Sequence, residues 1–152
     1  YNIVHLLADF ADSIQSCTRP KKRINLQKIY LKRSSSLRRQ CKNIEEVENL
    51  IENHFCFEPV QLEKYSFCEQ VSILNNCNYI VGPTGAAWVN ILFCNRQNNV
   101  GAVCWGVEKK DCWPPLARSS NVNLKQLYAK DSNSYYLDCS HLAKVISQML
   151  DS

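Results

Sequence analysis

No stretch of the 152-residue chain approaches the roughly 18 consecutive apolar residues of a membrane span, so no transmembrane helix is expected. None of the nine cysteines, at 17, 41, 56, 68, 77, 94, 104, 112 and 139, forms a C-x-x-C pair. That absence removes the usual zinc and thioredoxin spacings. The cysteine count is odd, and Cys77, Cys94 and Cys104 fall inside apolar runs, so buried free thiols are expected rather than a disulfide framework. Fifteen Asn are present, yet none stands in an N-x-[ST] sequon. Together these point to a reducing, cytoplasmic setting. The opening residues carry His5, Asp9 and Asp12 where a signal peptide would be basic and then apolar. The chain starts at Tyr1 and is expected to be a piece of something longer. There is neither a G-x-G-x-x-G nor a P-loop, which indicates neither a dinucleotide enzyme nor an NTPase.

What is present is ordinary globular composition: 45% hydrophobic and 21% charged residues. The length suits a single domain over 1–152, burying roughly 70% of its unfolded surface. Charge is unevenly placed. Residues 13–44 hold ten Lys and Arg (Arg19, Lys21, Lys22, Arg23, Lys28, Lys32, Arg33, Arg38, Arg39, Lys42) and no acid, and the remainder is net negative. Such a block suggests an anionic partner, or else a solvated basic linker.

Hydrophobic spacing predicts a helix over 3–16, with Val4, Leu7, Ala8, Ala11 and Ile14 on one face. A strand follows over 28–32, then a polar loop over 34–42. Asn43, with Glu46 three residues on, reads as the capped start of a helix that buries Ile44, Val47, Leu50, Ile51 and Phe55. A short strand is expected over 57–62. Ser66 and Glu69 repeat the capping spacing ahead of a helix with Phe67, Val71 and Leu74 inward. A strand over 79–81 ends at Gly82-Pro83, and a nearly all-apolar central helix occupies about 85–94. Another strand spans 100–107, residues 108–134 read as polar and irregular, 135–137 as a last short strand, and 141–150 as the final helix. Alternating strand and helix predicts an α/β domain, a three-layer Rossmann-like parallel sheet with helices on both faces. In such sheets a ligand sits at the carboxyl ends of the strands, near the switch in strand order.

Two loops leave strands carrying unusual residues. Lys32-Arg33-Ser34-Ser35-Ser36-Leu37-Arg38-Arg39 offers planar guanidinium forks and hydroxyl donors for phosphate oxygens. Gly82-Pro83-Thr84-Gly85-Ala86-Ala87 opens the apolar helix, whose first N–H groups favour an anion, and its small residues admit a ligand to the backbone. The alternative for the second loop is a tight turn for close helix packing. Two such loops on one sheet edge suggest a diphosphate ligand. No D-x-D pair exists, so the acidic metal clamp common in one class of sugar-nucleotide enzymes is missing. His5, His54 and His141 are scattered and read as structural or surface residues, and no metal or other cofactor is expected.

From about Ile29 to Val103 the sequence resembles the carboxyl-terminal region of family-61 glycosyltransferases, a group that includes capsular-polysaccharide-type enzymes. The resemblance runs through Tyr30-Leu31-Lys32-Arg33-Ser34, then Arg39 with Asn43 and Glu46, then Glu63 and Ser66 with Glu69-Gln70. It culminates in Ile80-Val81-Gly82-Pro83-Thr84-Gly85-Ala86-Ala87, with Asn90 and Leu92-Phe93. It implies the carboxyl-terminal, donor-holding lobe of a two-lobed GT-B enzyme, and metal-independent, inverting sugar transfer from a nucleotide-diphospho-sugar, in surface-polysaccharide synthesis among other settings. The implied partners are a nucleotide-sugar donor, a glycan acceptor, an amino-terminal lobe and, for the parent, a membrane periphery; nucleic acid is not expected. Implied donor-site residues are Arg33, Ser34, Arg39, Gly82, Thr84, Gly85, Ala86 and Asn90, supported by Ser66, Glu69 and Gln70.

Arg33 and Arg39 would neutralise the diphosphate and the leaving group as its charge grows, or else pair with acids of the helix that starts at Asn43. Asn90 either reaches the site or satisfies a backbone group within its helix. Glu69 reads as a base or ribose ligand, or simply as the cap partner of Ser66. Trp105 reads as core, and Trp113 as the more open of the two. Thr84 stands where many relatives carry His, and Cys104-Trp105 where an acid often follows the strand. These departures leave open a non-catalytic nucleotide-binding module. A nucleic-acid-binding domain using 13–44 is the third reading, and only Tyr30 is present in that block to stack a base.

Overall fold

In the computed structural model, residues 3–17, 24–34, 40–107, 111–129 and 134–152 are described. Strands β1 (Lys28–Leu31), β3 (Glu58–Val60), β4 (Tyr79–Pro83), β5 (Gly101–Gly106) and β6 (Asn123–Tyr128) form one sheet in the order β3-β1-β4-β5-β6. Every pairing is parallel, with Ile29 opposite Ile80, Val81 opposite Val103 and Trp105 opposite Leu127. The central strands β1, β4 and β5 are mostly apolar because helices cover both faces. β5 is buried along its whole length. Gly82 allows β1 and β4 to lie this close, since a Cβ there would stand 2.9 Å from the Leu31 carbonyl oxygen.

One face carries α1 (Ile3–Cys17), α3 (Phe67–Asn76), a 3-10 helix over Ala86–Phe93 and α4 (Trp113–Ser119). Its core joins Ala11, Ile29, Leu31, Val71, Ile73, Leu74, Ile80, Trp88, Ile91 and Ala102. The other face carries α2 (Ile44–Glu48), which runs on as a π-helix over Asn49–His54, and α5 (Cys139–Leu150). Its core joins Tyr30, Val47, Ile51, Val81, Val103, Trp105, Tyr135, Leu142 and Ile146. Full burial of each such aliphatic side chain contributes about 1.5–3 kcal/mol before chain entropy is set against it. The fold class expected from the sequence is therefore the observed one. All eight cysteines among the described side chains are free thiols, with Cys77, Cys94 and Cys104 buried.

Several local expectations are corrected. Residues 108–134 are not irregular throughout, because they contain α4 and β6. Pro114 sits in the first turn of α4, where no intrahelical hydrogen bond is lost. β6 is an edge strand, half polar because one side lacks a neighbour. The central apolar helix is 3-10 rather than α. Part of the expected loop over 34–42 is β2 (Gln40–Cys41), which pairs in parallel with β7 (Ser134–Tyr135) as a separate ribbon. Asn43 occupies the N-cap of α2 without a side-chain cap bond. Instead its side chain clamps residue 137, with Oδ1 accepting from Leu137 N at 3.0 Å and Nδ2 donating to Leu137 O at 2.8 Å. Ile44 is exposed, and so is Phe67, whose ring packs edge-on against Phe93. Among the described residues no helix is long and apolar enough to cross a membrane.

Candidate functional site

Parallel strands place all their carboxyl ends on one edge, and in this sheet the order reverses between β1 and β4. The crevice at such a reversal is where open α/β sheets hold ligands. The two loops that define it are the two singled out from sequence. Successive residues of an extended chain point to opposite sides, and this separates Lys32 from Arg33. Lys32 turns towards the α2 side, with Nζ 2.9 Å from Glu48 and 3.2 Å from Glu52. Its hydrogen bond to Glu48 raises its pKa, and partial desolvation opposes the rise. Lys32 thus occupies the helix acids that the sequence offered to Arg33. Arg33 is exposed and reaches the other way, its Nη1 donating to the Thr84 carbonyl at 3.4 Å across the crevice. Ser34 is exposed beside it. Arg39, with residues 35–38, lies outside the described residues.

The facing loop is fixed from below. Trp88 is fully buried, and its indole N–H donates to Pro83 O at 2.9 Å while its amide donates to Gly85 O at 3.0 Å. Thr84 is turned inward at 6% exposure. Its amide donates to Trp105 O at 2.6 Å, and its hydroxyl accepts from the Trp113 indole at 3.0 Å. Thr84 therefore shapes the loop with its side chain and presents its carbonyl to Arg33. Gly106 makes room for it, since a Cβ there would stand 2.5 Å from the Thr84 methyl. Below Thr84, burial pushes the Cys104 thiol up to about 12, against the opposing effect of its hydrogen bond with Thr84. Gly85 is the extended N-cap of the 3-10 helix. The Ala86 and Ala87 amides in the first turn have no preceding carbonyl of that helix to bond, so their positive ends are available at the crevice. A Cβ on Gly85 would stand 3.7 Å from Arg33 Nε, which places the guanidinium directly over this turn.

The structure thus brings together Arg33, Thr84, Gly85 and the start of the 3-10 helix at Ala86, with Gly82 buried beneath them. The other candidates are held within their own helices. Asn90 donates to Ala87 O at 3.3 Å. Ser66 and Glu69 form a complete capping box at the start of α3, the Glu69 carboxylate accepting from both the amide and the hydroxyl of Ser66. Gln70 donates to Tyr65 O at 3.0 Å.

Sequence reading missed Tyr135 as a neighbour of Arg33. Burial raises the Tyr135 phenol to about 12 and nearby Cys41 adds to the rise, while the charge of Arg33 opposes it. Trp113 was also missed as the buried partner of the Thr84 hydroxyl. The Pro pair after Trp113 was the available signal, since it marks a helix start that points the indole inward. Nothing local marks Tyr135. The basic block 13–44 is only partly described: residues 19, 21–23, 38 and 39 lie outside the described residues. Of the rest, Lys28 donates to Phe55 O at 3.3 Å, and Lys32 is ion-paired with Glu48 and Glu52. Among the described residues no three His, Cys, Asp or Glu side chains are grouped as metal ligands.

The sequence model of the family described as Glycosyltransferase 61 matches residues 2–101, from α1 to the first residue of β5 and through both crevice loops. No curated protein matches the chain.

Proposed function

The chain belongs to glycosyltransferase family 61, and from that premise we propose that it is the donor-binding lobe of a sugar transferase acting on a nucleotide-diphospho-sugar. A glycosyltransferase takes a sugar donor and an acceptor. In the proposed arrangement the donor diphosphate lies across the β1–β4 crevice. The observation that carries the reading is the approach of Arg33 to the Thr84-Gly85 turn, 3.4 Å from Nη1 to the Thr84 carbonyl. One guanidinium and one helix start then face a common space from opposite loops. Both complement an anion, and their effects reinforce each other at short range. As the bond between the sugar and the diphosphate breaks, negative charge accumulates on the leaving phosphate. Groups already oriented there stabilise that charge without reorganising. Arg33 performs electrostatically what a divalent cation performs elsewhere, so we read the transfer as metal-independent. The same reading makes the enzyme inverting and of the two-lobed GT-B type, with the acceptor hydroxyl and its general base brought by an amino-terminal lobe.

A thermal-shift series with UDP, GDP, CMP and their sugar conjugates, with and without divalent metal, tests this. A ligand of the folded state raises the melting temperature. The expected result is a metal-independent shift with one nucleoside diphosphate that is lost in Arg33→Ala. Removing one charge-assisted contact should weaken binding about tenfold or more. The variant should unfold within about 0.5 kcal/mol of the parent, because Arg33 is exposed. A well-folded chain that shifts with none of these nucleotides would overturn the donor reading.

A further inference from the structure

A second recess lies on the same edge of the sheet, away from the β1–β4 crevice. It is a groove of about 720 Å³ between the end of β6 and the start of α5. Leu127, Tyr128, Tyr136, Leu137, Asp138 and His141 line most of it. β6 stands two strands from β4, which at the usual strand spacing is roughly 10 Å from the phosphate loops.

Its chemistry is specific. Tyr128 and Tyr136 are 59% and 67% exposed, the largest exposures among the aromatic residues described as exposed. Large apolar rings left open beside a recess mark a contact surface rather than a core. Tyrosine presents a flat apolar face and a hydroxyl at low conformational cost. Asp138 uses Oδ1 to accept from the His141 amide at 2.9 Å, capping α5 and fixing both residues at the groove. A carboxylate and an imidazole supply directional acceptors and donors between the two rings. Among the described residues that line the groove none is Lys or Arg, and Asp138 disfavours an anion there. On the described residues, a phosphate or a nucleoside diphosphate is better matched by the Arg33 crevice than by this groove.

Flat rings, a few convergent polar groups and a carboxylate suit a neutral, polyhydroxylated ligand whose ring has an apolar C–H face. We propose that this groove binds a glycan chain, with Tyr128 and Tyr136 as stacking platforms and Asp138 and His141 as hydroxyl partners. The volume falls in the range of small-ligand sites, roughly 300–1,000 Å³. The proposal rests on the transferase reading for its biological sense, since a transferase must hold a glycan acceptor near the donor. Its position assigns part of acceptor binding to this chain rather than wholly to a second lobe.

The test uses the 152-residue chain and a panel of two- to four-unit neutral oligosaccharides built from glucose, galactose, xylose or N-acetylglucosamine. Saturation-transfer NMR and titration calorimetry read binding, and thermal shift with UDP and GDP is run in parallel. The expected result is binding of at least one oligosaccharide, weakened about tenfold or more in Tyr128→Ala/Tyr136→Ala and retained in Tyr128→Phe/Tyr136→Phe. The nucleotide shift should be unchanged in both variants. No oligosaccharide binding by the parent chain would overturn the proposal. So would loss of the nucleotide shift in the alanine variant with oligosaccharide binding intact, because the groove would then belong to the donor. Oligosaccharide binding lost in the alanine variant, with no nucleotide shift in any form, would uphold the groove and sink the donor reading alone.

Discussion

The two faces of the sheet are built on different terms. The face under α1, α3, α4 and the 3-10 helix is packed by shape: Trp88, Ile91, Ile73, Leu74 and Ile80 are fully buried. Its Trp88 hydrogen bonds end on the backbone of the loop that the face supports. The face under α2 and α5 buries a comparable apolar set but threads polar groups through it. Tyr30 stacks on Trp105 at 6.1 Å and donates to Glu48 at 3.4 Å, Glu48 holds Lys32, and Tyr135 lies near enough to feel Arg33. The first face therefore gives the crevice its rigid wall, and the second brings ionisable groups up to its rim. Position of the turn after β4 depends on packing, and the electrostatic environment of Arg33 depends on a buried phenol and an ion pair.

Truncating the rigid wall should have the largest effect. Trp88→Ala should cost about 3–5 kcal/mol in chemical denaturation, the range for deleting a buried aromatic side chain. It should also weaken nucleotide binding, since the turn loses the indole bond to Pro83 O and the packing beneath it. A loss below about 1 kcal/mol would show that the two faces do not differ as described.

The polar face should show itself in alkaline solution. Burial raises the phenols of Tyr30 and Tyr135, the latter from 10.0 to about 12. A raised acid keeps its proton in the folded state after the unfolded chain has lost it. The stability linked to it is thus fully present below about pH 10 and is lost as pH rises towards 12. Urea midpoints measured from pH 8.5 to 11 should fall, and less steeply in Tyr30→Phe/Tyr135→Phe. Equal slopes in parent and variant would remove the phenols from the account, leaving the buried thiols of the first face, such as Cys104, as the titrating groups.

The smallest change is expected at the ion pair. Lys32 and Glu48 are 30% and 26% exposed, so solvent screens them, and Lys32→Met should move stability by no more than about 1 kcal/mol. Its sharper readout is nucleotide affinity: with Lys32 gone, Glu48 and Glu52 lose their counter-charge, and their field beside the crevice should weaken diphosphate binding modestly. An unchanged affinity would confine the polar face to a structural role.

The alternation of apolar strands and amphipathic helices was readable along the chain, because 2-residue and 3.6-residue periods are local properties of burial. The Ser66–Glu69 cap was readable for the same reason, since both partners lie within one helical turn. Asn43 was only partly read. Its side-chain amide donates to Glu46 three residues on, as the spacing suggested, but its main work is the clamp on Leu137, far along the chain, and it makes no cap bond to the helix amides. β6 was missed because an edge strand buries only part of one side and carries no continuous apolar signal. At the site, the chemical character of both loops was present in the residues themselves: guanidinium and hydroxyls in one, small residues ahead of an apolar helix in the other.

Which cation serves the crevice was decided only in three dimensions. Lys32 and Arg33 are adjacent and of like charge, but extended backbone sends them to opposite sides. Lys32 is neutralised by two carboxylates of α2 and its π-helical continuation, whereas Arg33 meets the turn after β4. The sequence by itself determined an α/β domain with two anion-suited loops, because composition and periodicity dictate what must be buried and what must be left at strand ends. The tertiary structure alone decided that those loops share one crevice, that Thr84 turns inward to Trp113, and that Tyr128 and Tyr136 border one groove. Each of these depends on strand order and on contacts between distant residues, which no local pattern specifies.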